Sequence, residues 1–413
     1  MELPSLFKIG VAFTAAIVVL LADQTDAAPI PSGDYVVHEW GTFTSINGSD
    51  GTTLAGIQKD EEPLPPFVYS LDIASGRKQF ADLKLQSKKF PFVIAGKGLL
   101  RPVQNVTVKM ETPVLYFYSP ESFDAQVSVG FKGGSISQWY PARFSGEVLP
   151  PQFKKNAEGE SIMDTLDFAK PYNGSIEWKF KVEPRTTDTD FDVTKHDELP
   201  NWIHPRAPRS NLLRTPNGEA ETYLFYRGLG NFQQPLSYQI SNNVLSITSK
   251  QTIPYLIVVD VQSADYGRVL WSGAPGKVEK VALKESEPGF IRKEVYHSLK
   301  GALVKAGLYD DEASAMLRTW WQSYFSSPGI RAFWIVPRSF TDDVLPITIQ
   351  PTPDKLERVL LGRSEILTPE FEDQLLTEFS KEYDENAFRF SRYFPAYQAR
   401  VDQLRIEKTV GLR

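Results

Sequence analysis

Val36-Val37-His38-Glu39-Trp40-Gly41-Thr42-Phe43-Thr44-Ser45 is the stretch on which the reading of the fold turns. Polar and apolar residues alternate along it as they do in a β-strand packed on at least one side. Tyr35, Val37, Glu39, Gly41 and Phe43 share one face, and Val36, His38, Trp40, Thr42 and Thr44 share the other. Each face is part apolar and carries one ionisable group. Burying either face therefore brings His38 or Glu39 toward the core, where such a group needs a partner. The expectation is a central strand with His38 and Glu39 as candidate chemical groups and Trp40 as a candidate ligand contact.

Outward from this strand, the first 280 residues read mainly as β-structure. Val106, Val108 and Met110 alternate with polar residues, and Val114 to Tyr118 is apolar on both faces, as in an interior strand. Ala125, Val127, Val129 and Phe131 alternate, Gly133-Gly134 predicts a hairpin turn, and Ile136 and Trp139 follow. Ile176, Trp178, Phe180 and Val182 give another alternation. Asn242-Asn243 predicts a second hairpin, and Tyr255 to Val261 a buried strand.

The character changes at Ser286-Glu287-Pro288-Gly289. Ile291 to Ala306 has helical spacing and stops at Gly307; Asp310 reads as the N-cap of a second helix with Ala313, Met316, Leu317, Trp320 and Tyr324 on one stripe. Short strands are expected at Ala332–Val336, Ile347–Ile349 and Val359–Leu361. Helices are expected from Thr368-Pro369 and over Pro395–Leu404. The fold class is α+β, with a β-rich, sandwich-like N-terminal portion (28–288) and a smaller mixed helix/strand C-terminal portion (289–413).

Residues 1–27 read as a signal peptide. Lys8 precedes the apolar run Ile9 to Ala22, which is short for a membrane span, and small residues place cleavage after Ala27. A periplasmic or secreted location is expected, with no integral membrane span once the leader is removed. The 413 residues include no cysteine, which excludes disulfides, thiol nucleophiles and thiolate metal sites. The net charge of −6 argues against nucleic acid as a partner.

His38-Glu39-Trp40-Gly41-Thr42-Phe43-Thr44 resembles the opening motif of a family of uncharacterised exported bacterial proteins. Met110-Glu111-Thr112-Pro113-Val114-Leu115-Tyr116-Phe117-Tyr118, the stretch Leu224 to Phe232, the segment from Gly307-Leu308-Tyr309 to Trp320, and Arg358 to Arg363 resemble the same family. The resemblance spans nearly the whole mature chain. It implies export and a shared fold, and carries over no activity or catalytic residues.

The common catalytic signatures are missing. Thr42 stands where a zincin's second histidine would be, no Gly-x-Ser-x-Gly elbow exists, and Gly228-Leu229-Gly230 lacks the third glycine of a dinucleotide fingerprint. Asp188, Asp190 and Asp192 are spaced like the start of a calcium loop, but Val193 and Leu199 replace its glycine and glutamate. No metal or cofactor is expected. Of the other histidines, His297 reads as structural, and His196 and His204 flank Trp202 at a spacing that is not diagnostic. Glu111 and Arg227 each adjoin an apolar strand segment, where a charge must be paired. The sharper expectation is that Glu39, Glu111 and Arg227 meet on one sheet face around a ligand. Trp321 could pack or serve as a stacking platform. Two functions follow: an envelope protein that binds a ligand or envelope component without turnover, or a hydrolase or lyase of an envelope polymer using His38, Glu39, Glu111 and Arg227.

Overall fold

All twelve residues of Val36–Asn47 are buried, and this strand lies fifth in a sheet of ten. The computed structural model describes residues 34–59, 64–65, 67–70, 103–147, 153–185, 199–283, 287–380 and 391–410. The leader, the Asp188–Asp192 triplet and His196 lie outside the described residues.

From one edge the sheet runs Tyr69–Ser70, Gly134–Tyr140, Leu224–Gly230, Val108–Tyr118, Val36–Asn47, Lys355–Ile366, Gly329–Ile335, Leu256–Ser263, Tyr266–Gly273 and Gly289–Phe290. Every neighbouring pair is antiparallel except the central one, where Val36–Asn47 and Lys355–Ile366 run parallel in unbroken register from Val36↔Lys355 to Asn47↔Ile366. The portions on either side of residue 288 both give strands to this one sheet. On the other flank of the central strand, the ladder with Val108–Tyr118 shifts between Trp40 and Thr42. A Cβ on Gly41 would lie 2.9 Å from the Pro113 Cα, and Thr112 has φ 46°. Pro113 cannot donate to the ladder, so the bulge is where a proline in an interior strand is tolerated.

One face of the sheet packs on a second, six-stranded sheet. Its strands Phe123–Lys132 and Asn173–Glu183 alternate buried and more exposed positions, as their sequence predicts. Val127, Phe131, Trp178 and Phe180 meet Leu115, Phe117 and Tyr226 in a common core, with the Phe117 and Phe180 rings 5.1 Å apart. This is the sandwich. A three-stranded sheet and the helices Pro369–Glu378 and Phe394–Thr409 add to the same core. The opposite face is covered by helices Arg292–Lys305 and Asp310–Phe325, whose Val295, Leu299, Met316, Leu317 and Trp320 pack on Trp40, Val114 and Phe225.

The Asn242-Asn243 turn forms as expected, with φ 51° and 58° between the paired Ser241 and Val244. Gly133-Gly134 does not make a hairpin. The strand before it belongs to the six-stranded sheet and the strand after it to the ten-stranded one, so the glycines mark a corner. Gly133 has φ 75°, and a Cβ on Gly134 would fall 2.4 Å from the Phe131 ring. The strand expected at Val359–Leu361 is twelve residues long, paired over its whole length with Val36–Asn47. The second helix is capped at Tyr309 rather than Asp310; the Tyr309 N–H donates to Glu312 Oε2 at 2.8 Å.

Candidate functional site

The alternation of the opening strand sends His38 and Glu39 to opposite faces, and each finds partners from distant sequence. His38 faces the helices. Its Nδ1 lies 2.8 Å from Glu312 Oε2, and Tyr118 donates its hydroxyl to Glu312 Oε1 at 2.7 Å. With the Tyr309 N–H, three donors converge on one carboxylate in a place where His38 and Glu312 are fully buried. Burial, and then the charge of Glu312, push the Tyr118 hydroxyl well up, so it remains a donor. The tautomer that donates from Nδ1 leaves Nε2 without a hydrogen-bond partner against the Tyr309 ring, 4.4 Å away between centroids.

Glu39 faces the sandwich core. It accepts from Arg358 Nε at 2.5 Å and from the Tyr226 hydroxyl. Arg358 also donates through Nη1 to Asp342 at 2.8 Å and to the Leu345 carbonyl at 2.7 Å. Burial by itself would lower the Arg358 pKa; the charge of Glu39 more than offsets this, and the guanidinium stays charged.

Glu39, Glu111 and Arg227 do not share a face. Tyr226 takes the sandwich side with Glu39, so its neighbour Arg227 points to the helices, with its guanidinium 5.6 Å from the Trp320 ring and its Nε donating to Thr112 at 3.2 Å. Glu111 pairs across the ladder with Thr42, whose hydroxyl meets that of Tyr324 at 2.6 Å on the helix side. Its carboxylate lies 3.1 Å from Lys109 Nζ, and both side chains are fully buried. Trp40 is fully buried in the helix-side core. Trp321 is 8% exposed; its indole N–H donates to Asp265 at 2.6 Å and its ring packs on Phe325, which makes it a packing residue and not a platform. His204 adjoins Trp202, and burial, followed by the charge of Arg318, lowers its pKa.

Beyond the residues singled out from sequence, the structure gathers a charged group at the far end of the central strand. Glu365 is met by Arg331 at 2.7 Å, Arg363 at 2.6 Å and Arg392 at 4.0 Å. Burial would raise its carboxyl; the three guanidinium charges overrule burial and hold it at about 2. Arg358 and Arg363 frame the apolar run Val359-Leu360-Leu361-Gly362, and that framing was a legible sign of buried charge. Glu365, which pairs with Arg363, is two residues away; Glu39, Ser323 and the second arginine on Glu365, Arg331, are remote in sequence and were not legible.

Glu365 also lines a cavity of about 660 Å³ between the Leu256–Ser263 strand and the Pro369–Glu378 helix. Asp260, Glu370, Phe371, Gln374 and Tyr397 form other parts of its wall. Glu370 and Gln374 are four apart on one helix and both are exposed, so they present adjacent polar groups. None of His38, Glu39, Glu111, Arg227, Trp40 and Trp321 lines it. Among the described residues, no group of three or more His, Cys, Asp or Glu side chains is placed to hold a metal ion, and no helix is long and apolar enough to cross a membrane.

No family model and no curated protein matches the chain. Among solved structures it is similar to a yeast delta-COP-I mu-homology domain complexed with a Dsl1 WxWxV peptide. The two are 7% identical over 81% of this chain and 98% of that one, with a TM-score of 0.26, and a likeness at that level carries no argument about fold or function.

Proposed function

We propose that this chain is an exported protein of the bacterial envelope that binds its ligand without turning it over, and that the cavity beside Glu365 is where it binds. One observation carries this reading. The ionisable groups of the opening motif are consumed in sealed pairs, His38 with Glu312 and Glu39 with Arg358, with no exposure at any of the four side chains. A general acid or base must reach the proton it moves, and these groups meet only protein. The cavity offers polar side chains on a rigid wall instead, as small-molecule sites do.

The test has three parts. Fractionation and mass spectrometry of the native protein should find it in the envelope, beginning at or near Ala28. The purified protein should bind isolated envelope polymer and release no new chain ends from it. His38→Ala and Glu39→Gln should lower stability, by about 1–3 kcal/mol for a lost hydrogen bond and about 3–5 kcal/mol for a broken buried ion pair, and leave binding by the folded fraction unchanged. Release of soluble fragments from the polymer, abolished by either variant while the fold persists, would establish the hydrolase or lyase instead.

A further inference from the structure

Resting on that reading, we infer that the cavity beside Glu365 is a carbohydrate site, selective for neutral or amino sugars over anionic ones. A sugar ring presents two surfaces. Its hydroxyls seek planar acceptors and donors, and its C–H faces pack on aromatic rings. The cavity wall supplies both. Asp260, Glu365 and Glu370 are acceptors, and Gln374 carries both a donor and an acceptor. The rings of Phe371 and Tyr397 lie 5.5 Å apart at 70°, so apolar faces in two orientations adjoin the polar wall. The volume, about 660 Å³, is within the range of roughly 300–1,000 Å³ usual for small-molecule sites.

Selectivity follows from how charge is disposed. Three carboxylates line the cavity against one guanidinium, Arg268, and that group lies 3.1 Å from Asp260. Arg331, Arg363 and Arg392 lie behind Glu365 and do not line the cavity, so an anion in it meets the carboxylates first, and Arg331 and Arg363 direct their donors to protein acceptors. Arg331 gives Nε to Glu365, Nη1 to the Tyr324 carbonyl at 2.5 Å and Nη2 to the Ser327 carbonyl at 2.6 Å. Arg363 gives Nε and Nη2 to Glu365 and Nη1 to Ser323. Glu365 itself is fully ionised and held rigid. Its Oε1 receives Arg331, Arg363 and Tyr393, while Oε2 accepts from Arg331 at 2.7 Å and retains capacity for a ligand hydroxyl. A fixed acceptor of this kind binds a hydroxyl without the cost of ordering a flexible side chain.

The experiment is calorimetric titration of the purified full-length mature protein with tetramers of N-acetylglucosamine, glucose and mannose, and with tetragalacturonate as the anionic counterpart. At least one neutral or amino tetramer should bind more tightly than tetragalacturonate. Glu370→Ala and Gln374→Ala, both at exposed helix positions, should each weaken it about tenfold, the loss of one good hydrogen bond, in protein that still melts cooperatively. Glu365→Gln is a third variant whose fold must be checked first. No binding of any neutral or amino tetramer, a preference for tetragalacturonate, or wild-type affinity in both helix variants would overturn the inference. If the helix variants keep wild-type affinity for isolated envelope polymer, this site is wrong while the binding reading stands. If the tetramer is bound here and cleaved, by mass spectrometry of the products, the site stands and the reading without turnover fails.

Discussion

Glu365 keeps a full negative charge in the interior because three guanidinium groups surround it, and that makes its contribution to stability depend on pH. Its folded pKa of about 2 lies below the ordinary glutamate value of 4.5. A depressed carboxylate stabilises the fold fully above the unfolded value, and the contribution is lost as pH falls from about 4.5 toward 2. The shift corresponds to roughly 3 kcal/mol. Thermal melts of wild type between pH 7 and pH 2.5 should show a steep acid limb in that window. Glu365→Gln should be less stable at pH 7 and show a shallower limb. Identical acid limbs in the two proteins would mean that the arginine cluster contributes nothing through this group.

At the scale of elements, the helix Asp310–Phe325 lies along the central strand and is fastened to the sheet at both ends. Its first turn carries Asp310, Asp311 and Glu312, and Glu312 meets His38. Its last turn offers the Ser323 and Tyr324 carbonyls to Arg363, Arg392 and Arg331. Acidic groups at the N-terminus and cations at the C-terminus both match the helix dipole. The neighbouring strand Lys355–Ile366 has one position with no room for a side chain. Gly362 pairs with Trp334, and a Cβ there would sit 2.0 Å from the indole. Trp334 is fully buried and has nowhere to go. Gly362→Ala should therefore destabilise by about 1–3 kcal/mol or more through overpacking, read as a lower denaturant midpoint. A midpoint equal to wild type would show that the Trp334 ring yields.

For the whole molecule, the decisive contact is the parallel ladder between Val36–Asn47 and Lys355–Ile366, whose paired residues are 319 positions apart. Removing the second strand exposes one full edge of the first and strips Glu39 of Arg358. A fragment ending at residue 288 loses that partner together with Gly329–Ile335 and both covering helices. It should fail to fold, giving no cooperative thermal transition and poor amide dispersion. A cooperative transition in the fragment would show that the β-rich portion is an independent domain despite the shared sheet.

Local pattern, and so the sequence alone, determined the strand-rich class, the alternation of Ala125 to Phe131 and Ile176 to Val182, the Asn242-Asn243 turn, the Thr368 cap and the covering helices. Each depends on residues a few positions apart, where φ/ψ preference and side-chain period act directly. The sequence also marked His38, Glu39, Glu111 and Arg227 as charges that needed partners. Only the tertiary structure decided what those partners are, that Gly133-Gly134 turns a corner between sheets, and that Arg331, Arg363 and Arg392 converge on Glu365 beside a cavity. Those outcomes depend on which strands become neighbours. A period of two fixes the face a residue occupies within its strand, but nothing local to Glu39 encodes that Arg358 will lie beside it.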